Sequence, residues 1–232
     1  IHPIEDFRIS GMLWYQGESN AERAYEYNQS FPLLINSWRQ RFGENLPFYF
    51  VQLATFNTKG DSNEGCDWCE VRDAQLNTTK MKNTGMVVTT DVGNPNDIHP
   101  RNKKTVGERL ANLALNNGLK SPIYQKSTVK GNKITISFNT KEKLISKNNE
   151  ILKGFEIAGN DQKFYPAKAE IKKNKIVVTC EKVSNPVAVR YGWKGDDSEI
   201  NLFTEKGLPV APFRTDSFKT STENKKYQFE LK

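Results

Sequence analysis

The sequence predicts an α/β fold over its first half, followed by an antiparallel β-rich half. Two observations carry this reading. Up to about residue 120, apolar strand-like runs alternate with stretches of helical periodicity, the order that calls for a parallel sheet with helices on its faces. From about Ser121 the texture changes to short runs of period two, separated by turn residues. The expected organisation is therefore an α/β unit over residues 1–120 and a sandwich-like β unit over 121–232.

The first strand is Gly11-Met12-Leu13-Trp14-Tyr15, an apolar run bounded by polar residues. Helical spacing follows from Ala21 to Phe42, with Phe31, Leu34, Ile35, Trp38 and Phe42 on one side. Ser30 before Phe31-Pro32 reads as a fresh N-cap, which predicts two helical pieces or one kinked helix ended by Gly43. Leu46 to Leu53 gives a second, aromatic-rich strand. Residues 55–65 form a long polar loop. Asp67 to Lys82 reads as a helix, Met86 to Thr90 as a third strand, and Val106, Leu110, Leu113 and Ala114 mark a last helix closed at Asn117-Gly118. Three strands are few for a doubly wound sheet. Together with the abrupt opening Ile1-His2-Pro3, the count predicts that strands amino-terminal to this chain belong to the same domain.

In the second half, Lys133 to Phe138 and Lys175 to Cys180 alternate with period two, and Val187 to Tyr191 follows. Turns are expected at Lys130-Gly131-Asn132, Gly159-Asn160-Asp161 and Lys173-Asn174. The polar stretch from Thr215 to Lys232 is expected to be partly extended or mobile.

The 232 residues carry a net charge of +7, with lysines spread along the chain and no arginine-rich run, so nucleic-acid binding is not expected. No apolar stretch approaches the roughly 20 residues of a membrane span. Cys66-x-x-Cys69 lacks both a second ligand pair and a thioredoxin-like context. A local disulfide or two free thiols is the reading, with no metal and no cofactor, and Cys180 reads as a small buried apolar residue.

Two loops concentrate the chemistry. Gln16-Gly17-Glu18-Ser19-Asn20 follows the first strand, and Asp91 to Arg101 follows the third, so both lie at the carboxyl edge of the sheet, where open α/β folds bind ligands. The first is read either as a site or as a strand–helix joint with Asn20 as N-cap. The second contains His99, beside Asp97 and with Asp91 upstream. Histidine suits general-base work when a carboxylate orients it. His2, at the start of the chain, reads as incidental.

Trp14 to Ala21, Leu46 to Ala54 and Asp97-Ile98-His99-Pro100-Arg101-Asn102-Lys103 resemble the sialate O-acetylesterases, serine hydrolases of the SGNH type. So do later stretches such as Pro186 to Trp193 and Gly207 to Asp216. The resemblance implies a partial SGNH (flavodoxin-like) three-layer parallel sheet before the β-rich region. It implies an O-acetylated sugar as substrate, and a secreted or periplasmic location. It assigns His99 as the catalytic base. Its acidic partner is left among Glu18, Asp97 and Asp91, and Gln16, Gly17 and Asn20 become oxyanion or substrate-binding candidates. The family's nucleophile lies in an earlier Gly-Gln-Ser-Asn-type motif. Ser19 falls in a different block, so the nucleophile is expected outside this chain, supplied by an amino-terminal segment, and the chain alone is expected to be inactive. An exposed sheet edge also makes self-association an expectation. Acetyl-xylan esterase chemistry and a non-catalytic glycan-binding module are the competing readings. Trp14, Tyr15 and Trp68 are candidates for stacking on sugar rings, with core packing preferred for Trp14.

Overall fold

A computed structural model describes residues 2–226. Three parallel strands, β1 (Met12–Trp14), β2 (Phe48–Val51) and β3 (Thr84–Val87), pair in the order β1-β2-β3. Their register aligns Trp14, Phe50 and Met86, so all three strands end at one edge. Period-two alternation divides β2 between two cores. Phe48 and Phe50 face α1 (Ala24–Phe42) and α2 (Asp67–Thr78), while Tyr49 and Val51 face α3 (Lys103–Ala114). The result is the expected three-layer α/β arrangement.

Several local expectations need correction. α1 runs unbroken through Pro32, so Ser30 does not restart the helix. Asn28, whose carbonyl a helical N–H at residue 32 would have bonded, lies on the exposed side, where water can take over. The helix is preceded by a 3-10 segment, Glu18–Arg23, and Asn20 lies inside it rather than at an N-cap. The α2 N-cap is Cys66, whose sulfur accepts from the Cys69 N–H at 3.2 Å. Cys66 and Cys69 form a disulfide. Cys180 is half-buried at the margin of the β core rather than enclosed by it.

All the antiparallel strands lie beyond residue 120. The first sheet contains β4 (Tyr124–Lys130), β5 (Lys133–Phe138), β9 (Lys168–Lys172) and β10 (Lys175–Thr179), in the order β4-β5-β10-β9. The second contains β7 (Phe155–Ala158), β8 (Phe164–Pro166), β11 (Ala188–Tyr191) and β13 (Phe213–Arg214), in the order β13-β11-β7-β8. A two-stranded pair, β6 (Leu144–Ser146) and β12 (Leu202–Thr204), completes the set. Ile134, Ile136, Ile176 and Val178 of the first sheet share a core with Ile157, Val189, Tyr191 and Phe213 of the second. The turns at 131–132, 159–161 and 173–174 are where the pattern placed them. Lys173 and Asn174 both adopt positive φ, 49° and 58°, as a tight hairpin turn of primed type requires.

The segment after β13 is anchored over its described part. Glu70 of α2 accepts from the Ser221 N–H and hydroxyl at 2.8 and 2.6 Å, and from the Thr222 N–H at 3.1 Å. Four donors on one carboxylate hold this strap against the helix, the fourth being the Thr222 hydroxyl. Residues 227–232 lie outside the described residues.

Candidate active site

The parallel register delivers the Gln16–Asn20 and Asp91–Arg101 loops to the same edge of the sheet. The first loop is built around Gly17, buried at φ 153°. A Cβ there would come within 3.2–3.3 Å of Gln75, Val71 and Leu53, so only glycine lets the chain pass this close to α2 and β2. Gln75 is the organiser. Its amide nitrogen donates to the carbonyls of Gln16 and Val51 at 3.2 Å each, and its oxygen accepts from the Leu53 N–H at 2.9 Å. One buried side chain thus fixes the exits of β1 and β2 relative to each other. The sequence placed Gln75 within the helix read over Asp67 to Lys82 but offered no signal for this role.

Gln16 is committed internally. Its Nε2 donates to Asn20 Oδ1 at 2.7 Å, and its Oε1 accepts from the Tyr27 hydroxyl at 3.0 Å. The first bond orients the Asn20 amide and leaves Nδ2, which has no hydrogen-bond partner among the described residues. Glu18 is half-buried. Its charge acts on two tyrosines, Tyr15 and Tyr27, whose hydroxyls burial pushes up to about 12, with Glu18 adding to the shift. Among the described residues Glu18 has no ion pair and no hydrogen bond. Ser19 is exposed on the 3-10 segment.

The second loop closes as an Asx-type turn. Asp97 Oδ1 accepts the His99 N–H at 2.9 Å, and the same oxygen stands 3.8 Å from His99 Nδ1. That contact is too long for a direct hydrogen bond. The turn brings round a carboxylate that sits only two residues before the histidine. The His99 side chain is 88% exposed, so its ring is open at the sheet edge. Asp91 does not face His99. It forms a two-pronged ion pair with Arg109 of α3 at 2.6 and 2.7 Å, and Arg109 also donates to the Val88 carbonyl at 2.6 Å. This pair anchors the loop's root to α3. Lys103, at the start of α3, lies 5.0 Å from the Tyr15 ring centroid and bridges the two loops' flanks. Among the described residues no hydrogen bond or ion pair joins Glu18 to His99.

Trp68 is not a sugar-stacking platform. It is buried, and its indole N–H donates to the Ala54 carbonyl at 2.9 Å. Trp14 packs half-buried against Phe48, with ring centroids 6.3 Å apart. Among the described residues no cluster of three or more metal-binding side chains occurs, and no helix is long and apolar enough to cross a membrane.

The family model for carbohydrate esterase, sialic acid-specific acetylesterase, matches residues 2–116. The chain belongs to this sialate O-acetylesterase family. It is 31% identical over 247 residues to the Mus musculus sialate O-acetylesterase, covering 92% of this chain and 45% of that protein. The Homo sapiens protein of the same name is 29% identical over 245 residues, covering 92% and 47%. A carbohydrate acetylesterase from Xanthomonas citri, known from its crystal structure, superposes with a TM-score of 0.90 at 40% identity, over 94% of this chain and 53% of that one. The chain spans about half the length of the relatives it matches.

One detail of the sequence gains meaning from that kinship. Gly60-Asp61-Ser62-Asn63 differs from a Gly-Gln-Ser-Asn motif at a single position. Ser62 is buried, however, and its hydroxyl donates to Glu156 of β7, while Arg190 of β11 donates to its carbonyl at 3.1 Å. The loop is tied to the second antiparallel sheet.

Proposed function

We propose that this chain carries the base-bearing part of an esterase site that removes O-acetyl groups from sugars, sialic acids among them. The observation that carries the reading is His99. It is an exposed imidazole at the carboxyl edge of a parallel sheet, with Asp97 folded beside it, in a chain of the sialate O-acetylesterase family. Asp97 orients His99, and Glu18 is the rival for that role because it stands at the same edge without an ion pair. A serine from outside these residues loses its proton to His99, and its oxygen forms a bond to the acetyl carbon. The negative charge on the carbonyl oxygen is met by amide donors, of which Asn20 Nδ2 and the Gly17 backbone are the candidates. The carbon–oxygen bond to the sugar then breaks, with His99 returning the proton to the departing sugar oxygen. Water, deprotonated by His99, releases acetate and restores the serine.

Two features support an external nucleophile. Ser62 is turned away into the β region, and β1 has a free edge with Leu13 57% exposed on the face that α3 covers only over β2 and β3. An amino-terminal segment that adds strands beside β1 would cover that surface, and self-association along the same edge is the alternative. The Cys66–Cys69 disulfide supports an oxidising, secreted or periplasmic setting.

The test is hydrolysis of an aryl acetate. The 232-residue chain alone is expected to be inactive. Supplying the amino-terminal half of a family member, fused or separate, is expected to raise the rate at least about a hundredfold, and His99→Ala should abolish that gain. Strong hydrolysis by the chain alone, lost on Ser19→Ala or Ser62→Ala, would place the nucleophile inside it and overturn this assignment.

A further inference from the structure

The outward face of the β4-β5-β10-β9 sheet differs in chemistry from the His99 edge. The inner face of this sheet is apolar. Strand register assigns the opposite face residue by residue. Lys130 stands opposite Lys133, Thr179 is paired with both Lys133 and Lys168, and Lys175 stands opposite Lys172. Lys126 occupies the same face four residues before Lys130 on the edge strand β4, opposite Ser137. Six lysines therefore share this face with one carboxylate, Glu170, which Lys168 and Lys172 hold at 2.9 and 2.7 Å.

Two of these cross-strand pairs, Lys130 with Lys133 and Lys172 with Lys175, are like charges directly opposed. Such pairs work against the sheet, since opposite charges there would stabilise it and like charges do the reverse. Their repetition at both hairpin ends puts repulsion where the fold alone gains nothing from it, and such departures from local rules are expected at functional surfaces. Between the lysines stand Thr128, Thr135 and Thr179. At the rim, Lys163 and Lys182 each lie 5.6 Å from the Tyr165 ring centroid. Tyr165, Lys133, Lys168, Lys172 and Lys182 line a shallow depression of about 650 Å³ on this side, where the lysines outnumber its two carboxylates, Glu170 and Glu181.

We infer that this face docks a polyanionic, carboxylate-bearing glycan chain. Charge complementarity selects a polyanion. The face carries no arginine and only one ring at its rim, itself flanked by lysine ammoniums, so it lacks the stacking platform and the planar forks used to read nucleic acids. Hydroxyls interleaved with point charges suit sugar hydroxyls and carboxylates. The surface is separate from His99, and the inference does not depend on the esterase assignment.

The experiment is fluorescence-anisotropy binding of the intact chain to a labelled hyaluronan oligosaccharide, with neutral dextran and single-stranded DNA as comparisons. Binding to hyaluronan is expected to exceed binding to either, and to fall several-fold between low and physiological salt. Lys130→Glu/Lys175→Glu turns both repulsive pairs into attractive ones, so thermal stability should hold or rise while hyaluronan binding falls at least about tenfold. Lys82→Glu/Lys120→Glu makes the same charge change elsewhere and should leave binding within about twofold, as should His99→Ala. No hyaluronan binding, equal loss in the two double variants, equal binding of dextran, or tighter binding of DNA would each overturn the proposal.

Discussion

Arg72 and Asp197 meet in a buried ion pair, Nη1 to Oδ2 at 2.8 Å, with each side chain 1% exposed. Arg72 also donates to the carbonyls of Leu53, Ala54 and Lys194 at 2.9, 2.8 and 3.1 Å. A residue of α2 thereby ties the exit of β2 to the loop beyond β11. Asp197 in turn meets the Thr55 hydroxyl, which also lies 2.8 Å from the Thr90 carbonyl at the root of the His99 loop. Burial pulls the Arg72 guanidinium down from its ordinary value and pushes the Asp197 carboxyl up, and their attraction offsets both shifts.

The two partners are not equivalent when removed. Arg72→Met leaves the buried Asp197 carboxylate with only the Thr55 hydroxyl as a side-chain partner among the described residues, and the Leu53 and Lys194 carbonyls without a donor. It is expected to cost about 3–5 kcal/mol in urea unfolding. Asp197→Asn keeps a neutral acceptor while Arg72 retains its three carbonyls, and is expected to cost about 1–3 kcal/mol. Equal costs would mean that the ion pair, and not the carbonyl clamp, dominates this junction.

Asp73 makes stability depend on pH. Burial raises its carboxyl from 3.8 to about 6, against the pull of Arg214, whose Nε lies 3.9 Å away. The folded chain therefore binds this proton more tightly than the unfolded chain. The contribution is fully present below the unfolded value and is lost as pH rises through about 6. Asp73→Asn should flatten that decline. It should stabilise the protein by about 1–2 kcal/mol at pH 7.5, part of the gain being offset by the lost attraction to Arg214. Denaturation midpoints at about pH 4.5 and about pH 7.5 suffice to check it. A variant whose curve parallels the parent at both would contradict the assignment.

Glu70 is the latch for the strap at 220–222. Glu70→Ala removes an acceptor from four donors at once and is expected to cost about 2–4 kcal/mol. It should also open the strap to limited proteolysis near Lys219 before global unfolding. Unchanged protease resistance there would show that the strap is held by its other contacts.

What the sequence made legible was periodicity. The parallel alternation, the antiparallel hairpins and the two loops at one sheet edge all follow from apolar spacing and turn residues, because those patterns are local. The contacts that shape the site are not local. Gln75 joins β1 to β2 through hydrogen bonds that no spacing announces. Arg109 captures Asp91 from 18 residues away, a pairing of one of the three carboxylates considered for His99 that no spacing announces. Pro32 and Asn20 misled for a related reason: tertiary packing of α1 overrides its capping signals. The anchor of the polar strap after β13 was not legible because its partner, Glu70, lies about 150 residues earlier in the chain.

The identity of the carboxylate that serves His99 can be decided in the enzyme assembled with its nucleophile-bearing segment. His99→Ala sets the scale and is expected to lower kcat by about 10³–10⁴-fold. Asp97→Asn keeps an oxygen for the His99 N–H, so the turn survives and only the charge is lost. It is expected to lower kcat by about 10–100-fold with KM little changed, because orientation of the base matters in the transition state more than in substrate binding. Glu18→Gln should then cost less than about threefold, since no hydrogen bond or ion pair joins Glu18 to the His99 loop among the described residues. The reverse ranking would show that the Gln16-Gly17-Glu18 loop swings its carboxylate onto His99 once the sheet is complete. It would also recast Asp97 as a turn-forming residue, and Asp97→Asn should then be close to neutral because Asn caps such turns as well as Asp does.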